Sequence, residues 1–130
     1  MNQQEAAVNL GRIGQIAIVV KDVARATQFY RDTLGMKFLF EFPGLAFFDA
    51  NGVRLMLSRA EDPRFDHPAS ILYYRVDDIV GTHATLEGRG VRVEEKPHVV
   101  AQMPDHDLWI GSYMDSEDNV FALMSEVARL

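Results

Sequence analysis

The sequence predicts an α+β fold built from two copies of a βαβββ unit. Three observations carry that prediction. The order in residues 13–38 is an apolar run, an Asp, a helical pattern, a Gly and another apolar run, and it returns in residues 71–93. Each copy closes on a further apolar strand, Val53-Arg54-Leu55-Met56-Leu57-Ser58 in the first and Val120-Phe121-Ala122-Leu123-Met124-Ser125 in the second. Between the copies lies one linker-like stretch, residues 60–70, with Asp62, Pro63, Asp66 and Pro68. A unit this short cannot bury its own sheet face, so the two copies must share a core or a pocket.

Taken in order, residues 1–12 form a polar N-terminal tail, frayed or weakly helical over its first ten positions. Residues 13–20 are rich in β-branched side chains and read as a buried strand. Asp22 is suited to cap a helix, accepting from first-turn amides. Val23, Ala26, Tyr30 and Leu34 then recur at helical spacing as the buried stripe. Gly35 supplies the positive φ that commonly ends a helix. Phe38, Phe40 and Phe42 alternate with Lys37, Leu39 and Glu41, a strand period. Pro43-Gly44 turns the chain into a third strand at residues 45–48, and Asn51-Gly52 signals a hairpin into the fourth, residues 53–58. The second copy repeats strand, Asp78-capped helix and strand. Its strands are expected at residues 92–96, 108–114 and 120–127, with residues 97–107 as a long polar connection and residues 115–119 as a turn. The expected organisation is thus one domain over residues 13–127, with module one at 13–59, the linker at 60–70 and module two at 71–127.

Composition excludes several classes. The 130 residues suit one compact domain, and 48% apolar with 25% charged content is ordinary for a globular protein. A formal net charge of -6 leaves no basic stripe to neutralise phosphates, so no nucleic-acid partner is expected. No apolar stretch reaches the roughly 20 residues that span a bilayer, so no membrane partner is expected either. There are no cysteines, which removes disulfides, thiolate metal sites and a Cys nucleophile. A cytoplasmic protein is the simplest reading.

The phrases Ile16-Ala17-Ile18-Val19-Val20-Lys21-Asp22, Phe29-Tyr30-Arg31-Asp32-Thr33-Leu34-Gly35 and Asp115-Ser116-Glu117-Asp118-Asn119 resemble the vicinal oxygen chelate superfamily. That family holds glyoxalase I, extradiol dioxygenases, methylmalonyl-CoA epimerase, fosfomycin-resistance enzymes and bleomycin-resistance proteins. The resemblance implies a fold in which the curled sheets of the two modules form an open cup. It also implies dimers, some completing the cup between chains, so a homodimer is expected. In the metal enzymes of the family four ligands, typically His or Gln, Glu, His and Glu, hold a divalent cation whose open positions polarise the substrate.

At the positions that the resemblance assigns to those ligands, this chain has Gln15, Met56, Ile71 and Ala122. Both carboxylates and the imidazole are gone. A thioether, a butyl group and a methyl cannot hold a hard divalent ion against water. No metal site and no cofactor are therefore expected, a divalent metal being the alternative. Strand parity places Gln15, Ala17, Arg54, Met56, Ser58, Ile71, Tyr73, Ala122 and Met124 in the cup, a mainly apolar lining with a few polar anchors. Those residues line a ligand pocket or pack a closed core.

Other groups offer chemistry. His98 and His106, with Asp105 and Asp107 nearby, flank the expected connection and form a candidate base pair or displaced metal site, or simply brace the loop. His67 in the linker and His83 on the second helix read as solvent-facing. Trp109 and Tyr113 share a strand face from which they stack on a planar ligand or pack the core. The phenylalanines at 38, 40, 42, 47 and 48 form a hydrophobic subsite or pack against Tyr30. Arg54 and Arg75 pair with an anionic ligand or with local acids.

The expected function is a glyoxalase/bleomycin-resistance-like protein without the usual metal site, binding a small, mainly apolar molecule in the cup. Its expected binding residues are Gln15, Arg54, Met56, Ser58, Ile71, Tyr73, Trp109, Tyr113 and Ala122. The alternative is a lyase, isomerase or dioxygenase with a rearranged site near Gln15, His98, Asp105 and His106. A third possibility is an auxiliary subunit with a collapsed cup and no ligand.

Overall fold

A computed structural model describes residues 8–60 and 62–129. The expectation of a frayed or weakly helical start falls largely on residues 1–7, outside the described residues, as do Glu61 of the linker and Leu130. The described chain forms two βαβββ modules. In the first, β1 (Gln15–Val19) leads through α1 (Val23–Gln28) to β2 (Lys37–Phe42), β3 (Leu45–Ala50) and β4 (Val53–Ser58). In the second, β5 (Leu72–Arg75) leads through α2 (Ile79–Gly88) to β6 (Arg92–Gln102), β7 (His106–Met114) and β8 (Val120–Ala128). Each module is a four-stranded sheet, ordered β1-β4-β3-β2 and β5-β8-β7-β6, with its first and last strands parallel. No ladder joins the two sheets.

Local chemistry sets the element ends. The Asp22 carboxylate accepts from the Arg25 amide at 3.0 Å and that of Asp78 from the Gly81 amide at 3.0 Å, each satisfying a first-turn donor. Beyond Gln28 the first helix widens into a π-helical turn, Phe29–Thr33, in which the Leu34 amide donates to the Phe29 carbonyl. Gly35 then turns the chain at φ 70°. The Asn51-Gly52 hairpin has positive φ at both central residues, as a type I′ turn requires.

In each sheet one face packs on helices. On the first, Ile18, Ala46, Phe48, Leu55 and Leu57 bury against Ala26 and Tyr30. On the second, Phe121, Leu123 and Tyr113 bury against Ile79 and Leu86. The modules meet through these helix-bearing sides, because Phe29 and Leu34 pack against both clusters. The Phe29 ring lies edge-on to Phe121 at 6.5 Å.

Two strand expectations are corrected. Residues 97–107 are not one long connection. β6 runs on through Pro97 to Gln102, with register shifts between Glu95 and His98 and again before Ala101. As an edge strand, β6 tolerates the missing proline amide at such an irregularity. The aromatic alternation in β2 is also broken. A register shift between Phe38 and Phe40 puts Phe38 opposite Phe48 on the helix side and Phe40 opposite Phe47 on the other face.

Candidate functional site

The open face of each sheet, away from the helices, carries the alternate residues. On the first sheet register fixes three rows. Gln15, Arg54 and Asp49 form one; Ala17, Met56, Phe47 and Phe40 the next; Val19, Ser58, Leu45 and Phe42 the third. The β-bulge at Leu39 brings Phe40 and Phe42 onto this face. Phe40 stacks on Phe47 with centroids 4.7 Å apart, and Phe42 meets them edge-on at 5.6 and 6.3 Å. Phe42 remains 58% exposed and Phe40 40% exposed, so two aromatic rings face outward without cover in this chain.

The first row supplies polarity. Arg54 Nε donates to Gln15 Oε1 at 2.8 Å, and its guanidinium lies 5.7 Å from the Phe47 ring centre. Gln15 Nε2 approaches Met56 Sδ at 3.9 Å. Gln15, Arg54 and Met56 therefore stand together beside the aromatic patch. At the other end of the face, Arg59, Ala60 and His67 of the linker region border the sheet. A cavity of about 460 Å³ lies beneath them, floored by Ala17, Val19, Leu45, Met56 and Ser58 and edged by Arg59 and His67.

The second sheet's open face carries Tyr73, opposite Ala122, and Arg75, opposite Met124. Ile71 precedes the strand on the same parity. Tyr73 and Ile71 are about half exposed, whereas Ala122 is buried. Arg75 is already occupied, its Nη2 donating to Glu126 Oε1 at 2.7 Å. The expected lining thus divides between two sheets. Among the described residues no hydrogen bond or ring contact joins one open face to the other.

Trp109 and Tyr113 fall on the helix side. Tyr113 is fully buried, stacked on Phe121 at 5.5 Å, and Trp109 packs against the same cluster. Their parity opposes that of Ala122, which pairs with Ser112. The Tyr113 hydroxyl meets His83 Nδ1 at 2.9 Å, and burial pushes that hydroxyl up to about 12. His83 is accordingly an interior partner rather than a solvent-facing group.

The remaining histidines do not converge. His98 lies opposite Ile110 and bonds locally, with Nε2 at 3.2 Å from Glu95. His106 contacts Asp105 at 2.7 Å through Nδ1, an interaction that lowers the Asp105 pKa. His106 lies four positions before Ile110 on β7, about 13 Å of strand rise, and His98 sits opposite Ile110 on β6, so the two histidines are well separated. Asp107 pairs instead with Arg129. Among the described residues no three His, Asp or Glu side chains are grouped as a metal site would need. The donor set at the family's ligand positions, an amide, a thioether and two alkyl groups, does not fit a hard divalent ion.

Electrostatics concentrate where the modules join. Glu117, its side chain fully buried, accepts from the Lys21 and Asp22 amides at 2.9 and 2.8 Å and from Arg25 at 2.7 and 3.0 Å. Burial works to raise its pKa, but Arg25, the Asp22 amide and the Ser116 hydroxyl outweigh it, and the net direction is down. Asp115 accepts from the Tyr30 hydroxyl at 2.7 Å, and burial, with this carboxylate alongside, pushes that hydroxyl far above its ordinary value. Lys21 and Arg92 hold exposed Asp118 down to about 2. The turn between β7 and β8 thereby clamps the end of β1, at the border of a neighbouring cavity lined also by Arg59, Asp66 and His67.

Two features of the site escaped the sequence. His67 is exposed, as expected, but its place at the rim of a cavity has no signal in the sequence. The aromatic patch depends on the bulge, which has no residue signature here.

Comparison with known proteins agrees with this architecture. Residues 12–103 match the family described as the Glyoxalase/Bleomycin resistance protein/Dioxygenase superfamily. Among solved structures, a glyoxalase/bleomycin resistance protein/dioxygenase from Nocardioides aligns with TM-score 0.73 and 19% identity, over 96% of this chain and 89% of that one. A lactoylglutathione lyase from Agrobacterium tumefaciens aligns with TM-score 0.68 and 21% identity, over 89% and 94%. TnmS3, an antibiotic binding protein from Streptomyces sp. CB03234, aligns with TM-score 0.73 and 24% identity, over 92% and 99%. At these identities the likeness is one of fold.

Proposed function

The chain belongs to the Glyoxalase/Bleomycin resistance protein/Dioxygenase superfamily, and on that premise we propose that it binds a small, mainly apolar molecule without the family's metal. The ligand lies on the open face of the first sheet. The observation that carries this reading is the pair of exposed rings Phe40 and Phe42, backed by Phe47 and continuing past Met56 into the cavity beneath the linker. Aromatic rings that meet no helix and keep large exposed faces offer stacking area, and the adjoining volume is in the range of small-molecule sites. Gln15 and Arg54 supply the polar contacts that orient the bound molecule. That a protein of the same fold, TnmS3, is an antibiotic binding protein supports a binding role.

The chain works as a cytoplasmic homodimer in this proposal. Each chain presents two open faces, and the exposed Phe42 of the first and Tyr73 of the second are covered when the face of one chain meets that of another. Ile71, Tyr73 and Ala122 then join the site from the partner. No helix among the described residues is long and apolar enough to cross a membrane. The catalytic alternative needs Gln15, His98 and His106 in one site, and the separation of the two imidazoles weighs against it.

The test is a thermal-shift screen of aromatic small molecules against the wild type, Gln15→Ala and Phe42→Ser, with sedimentation measured alongside. Ligands present at 100 times their dissociation constant stabilise by about 2.7 kcal/mol. The variants, altered at exposed positions, should keep their fold and lose most of that shift. Equal shifts in all three proteins would place the ligand elsewhere. Sedimentation at the mass of a single chain would remove the dimer.

A further inference from the structure

The linker cavity carries information about the charge of what it holds. Its floor is apolar, made by Ala17, Val19, Leu45 and Met56. Among the described residues its titratable lining consists of Arg59 and His67, with no carboxylate, although the chain has 19 acidic residues against 13 basic ones. Asp66 and Asp118 border a neighbouring cavity on the far side of Arg59 and His67. Asp118 is engaged there by Lys21 and Arg92.

Arg59 is also free. Arg25, Arg31, Arg75, Arg92 and Arg129 are ion-paired, and Arg54 holds Gln15. Among the described residues Arg59 makes no ion pair and no side-chain hydrogen bond. A guanidinium left unpaired at the rim of an apolar cavity presents its fork of donors to whatever enters, and that fork matches a carboxylate, sulfonate or phosphate oxygen pair. Ser58, on the floor beside it, adds a hydroxyl donor, whereas His67 Nδ1 is engaged by the Pro68 carbonyl at 3.0 Å.

We propose that the bound molecule is an amphiphilic anion, with an apolar body on the Met56 floor and one acidic group at Arg59. This rests on the binding role proposed above and specifies the ligand class of that site. Among the described residues no carboxylate lines this rim to repel such a ligand.

A matched pair of dyes separates the two ideas. 1-Anilinonaphthalene-8-sulfonate has an aromatic body and an anionic group, whereas N-phenyl-1-naphthylamine has nearly the same body without the charge. Fluorescence titration should show the sulfonate binding about tenfold more tightly, the worth of one charge-assisted contact. Arg59→Gln should bring the ratio of the two affinities close to one, and Arg59→Lys should retain part of it. Met56→Gln should weaken both dyes together, with circular dichroism verifying the native fold throughout. If both dyes bind and respond to Met56→Gln while their ratio ignores Arg59→Gln, the anion proposal falls and the binding role stands. If neither dye binds the folded protein, or Met56→Gln affects neither, both fall.

Discussion

Replacing Glu117 by Gln tests whether the turn between β7 and β8 holds the modules together. The carboxylate serves five donors: two backbone amides of the first module, two nitrogens of Arg25 and the Ser116 hydroxyl. Gln keeps one acceptor oxygen, enough for the amides at Lys21 and Asp22. Its NH₂ group, however, faces Arg25 Nε, a donor–donor contact, while the Ser116 hydroxyl can rotate to accept from it. A hydrogen bond to a charged group contributes about 1.5–3 kcal/mol. Arg25 is half exposed, so its share belongs at the low end. The expected loss is about 2.5 kcal/mol, which at about 2.1 cal/mol/K of unfolding entropy per residue lowers Tm by roughly 9 °C. Thermal unfolding at pH 7 measures it, and the cycle with Arg25→Gln isolates the ion pair. Because the folded pKa of Glu117 is depressed, its contribution is present above the ordinary carboxylate range and lost as pH falls through the folded value. The gap between wild type and variant should therefore narrow in acid. A Tm within 2 °C of wild type at pH 7, or a gap that widens in acid, would refute the reasoning.

Two further substitutions probe the fold around the site. Gly35→Ala meets no atom within 4 Å, so its cost is that of φ 70° alone, about 1–2 kcal/mol by urea denaturation; an unchanged midpoint would contradict it. Gly111→Ala drives a methyl to 2.8 Å from the Tyr113 hydroxyl and 3.1 Å from the Pro97 ring, with an expected cost of about 1–3 kcal/mol. Tyr113→Phe in the same background should relieve part of it, and strict additivity of the two changes would count against that packing.

Most of the fold is legible because local signals agree. Asp22 and Asp78 cap as expected, Gly35 and Gly90 take positive φ, and the Asn51-Gly52 turn sets the register of the hairpin. What escapes is of two kinds. Pro97 reads as a strand breaker, yet an irregular edge strand carries it. The insertion at Leu39 reverses the face of every later residue in β2, so Phe40 and Phe42 leave the core that alternation from Phe38 assigns to them. Trp109 and Tyr113 show the same limit from the other direction. Two aromatic residues on one face suit a ligand or a core equally, and only the helix packed there decides.

The separation of fold from chemistry follows from the period of two. Leu55 and Leu57 hold the first sheet to its helix while Met56 lies between them on the open face; Phe121 and Leu123 do the same around Ala122. The helix-side residues are constrained by burial, so they keep the fold recognisable. Met56 lies outside that packing, so its identity is not fixed by the core; Ala122, though on the open face, is itself buried. The same alternation explains why the family resemblance reads clearly while the reaction does not. What marks the open face of this chain is its side chains: two aromatic rings, Phe40 and Phe42, exposed by a bulge, the thioether of Met56, and the unpaired Arg59 guanidinium at the rim. The proposed binding role draws on that apolar floor and cationic edge.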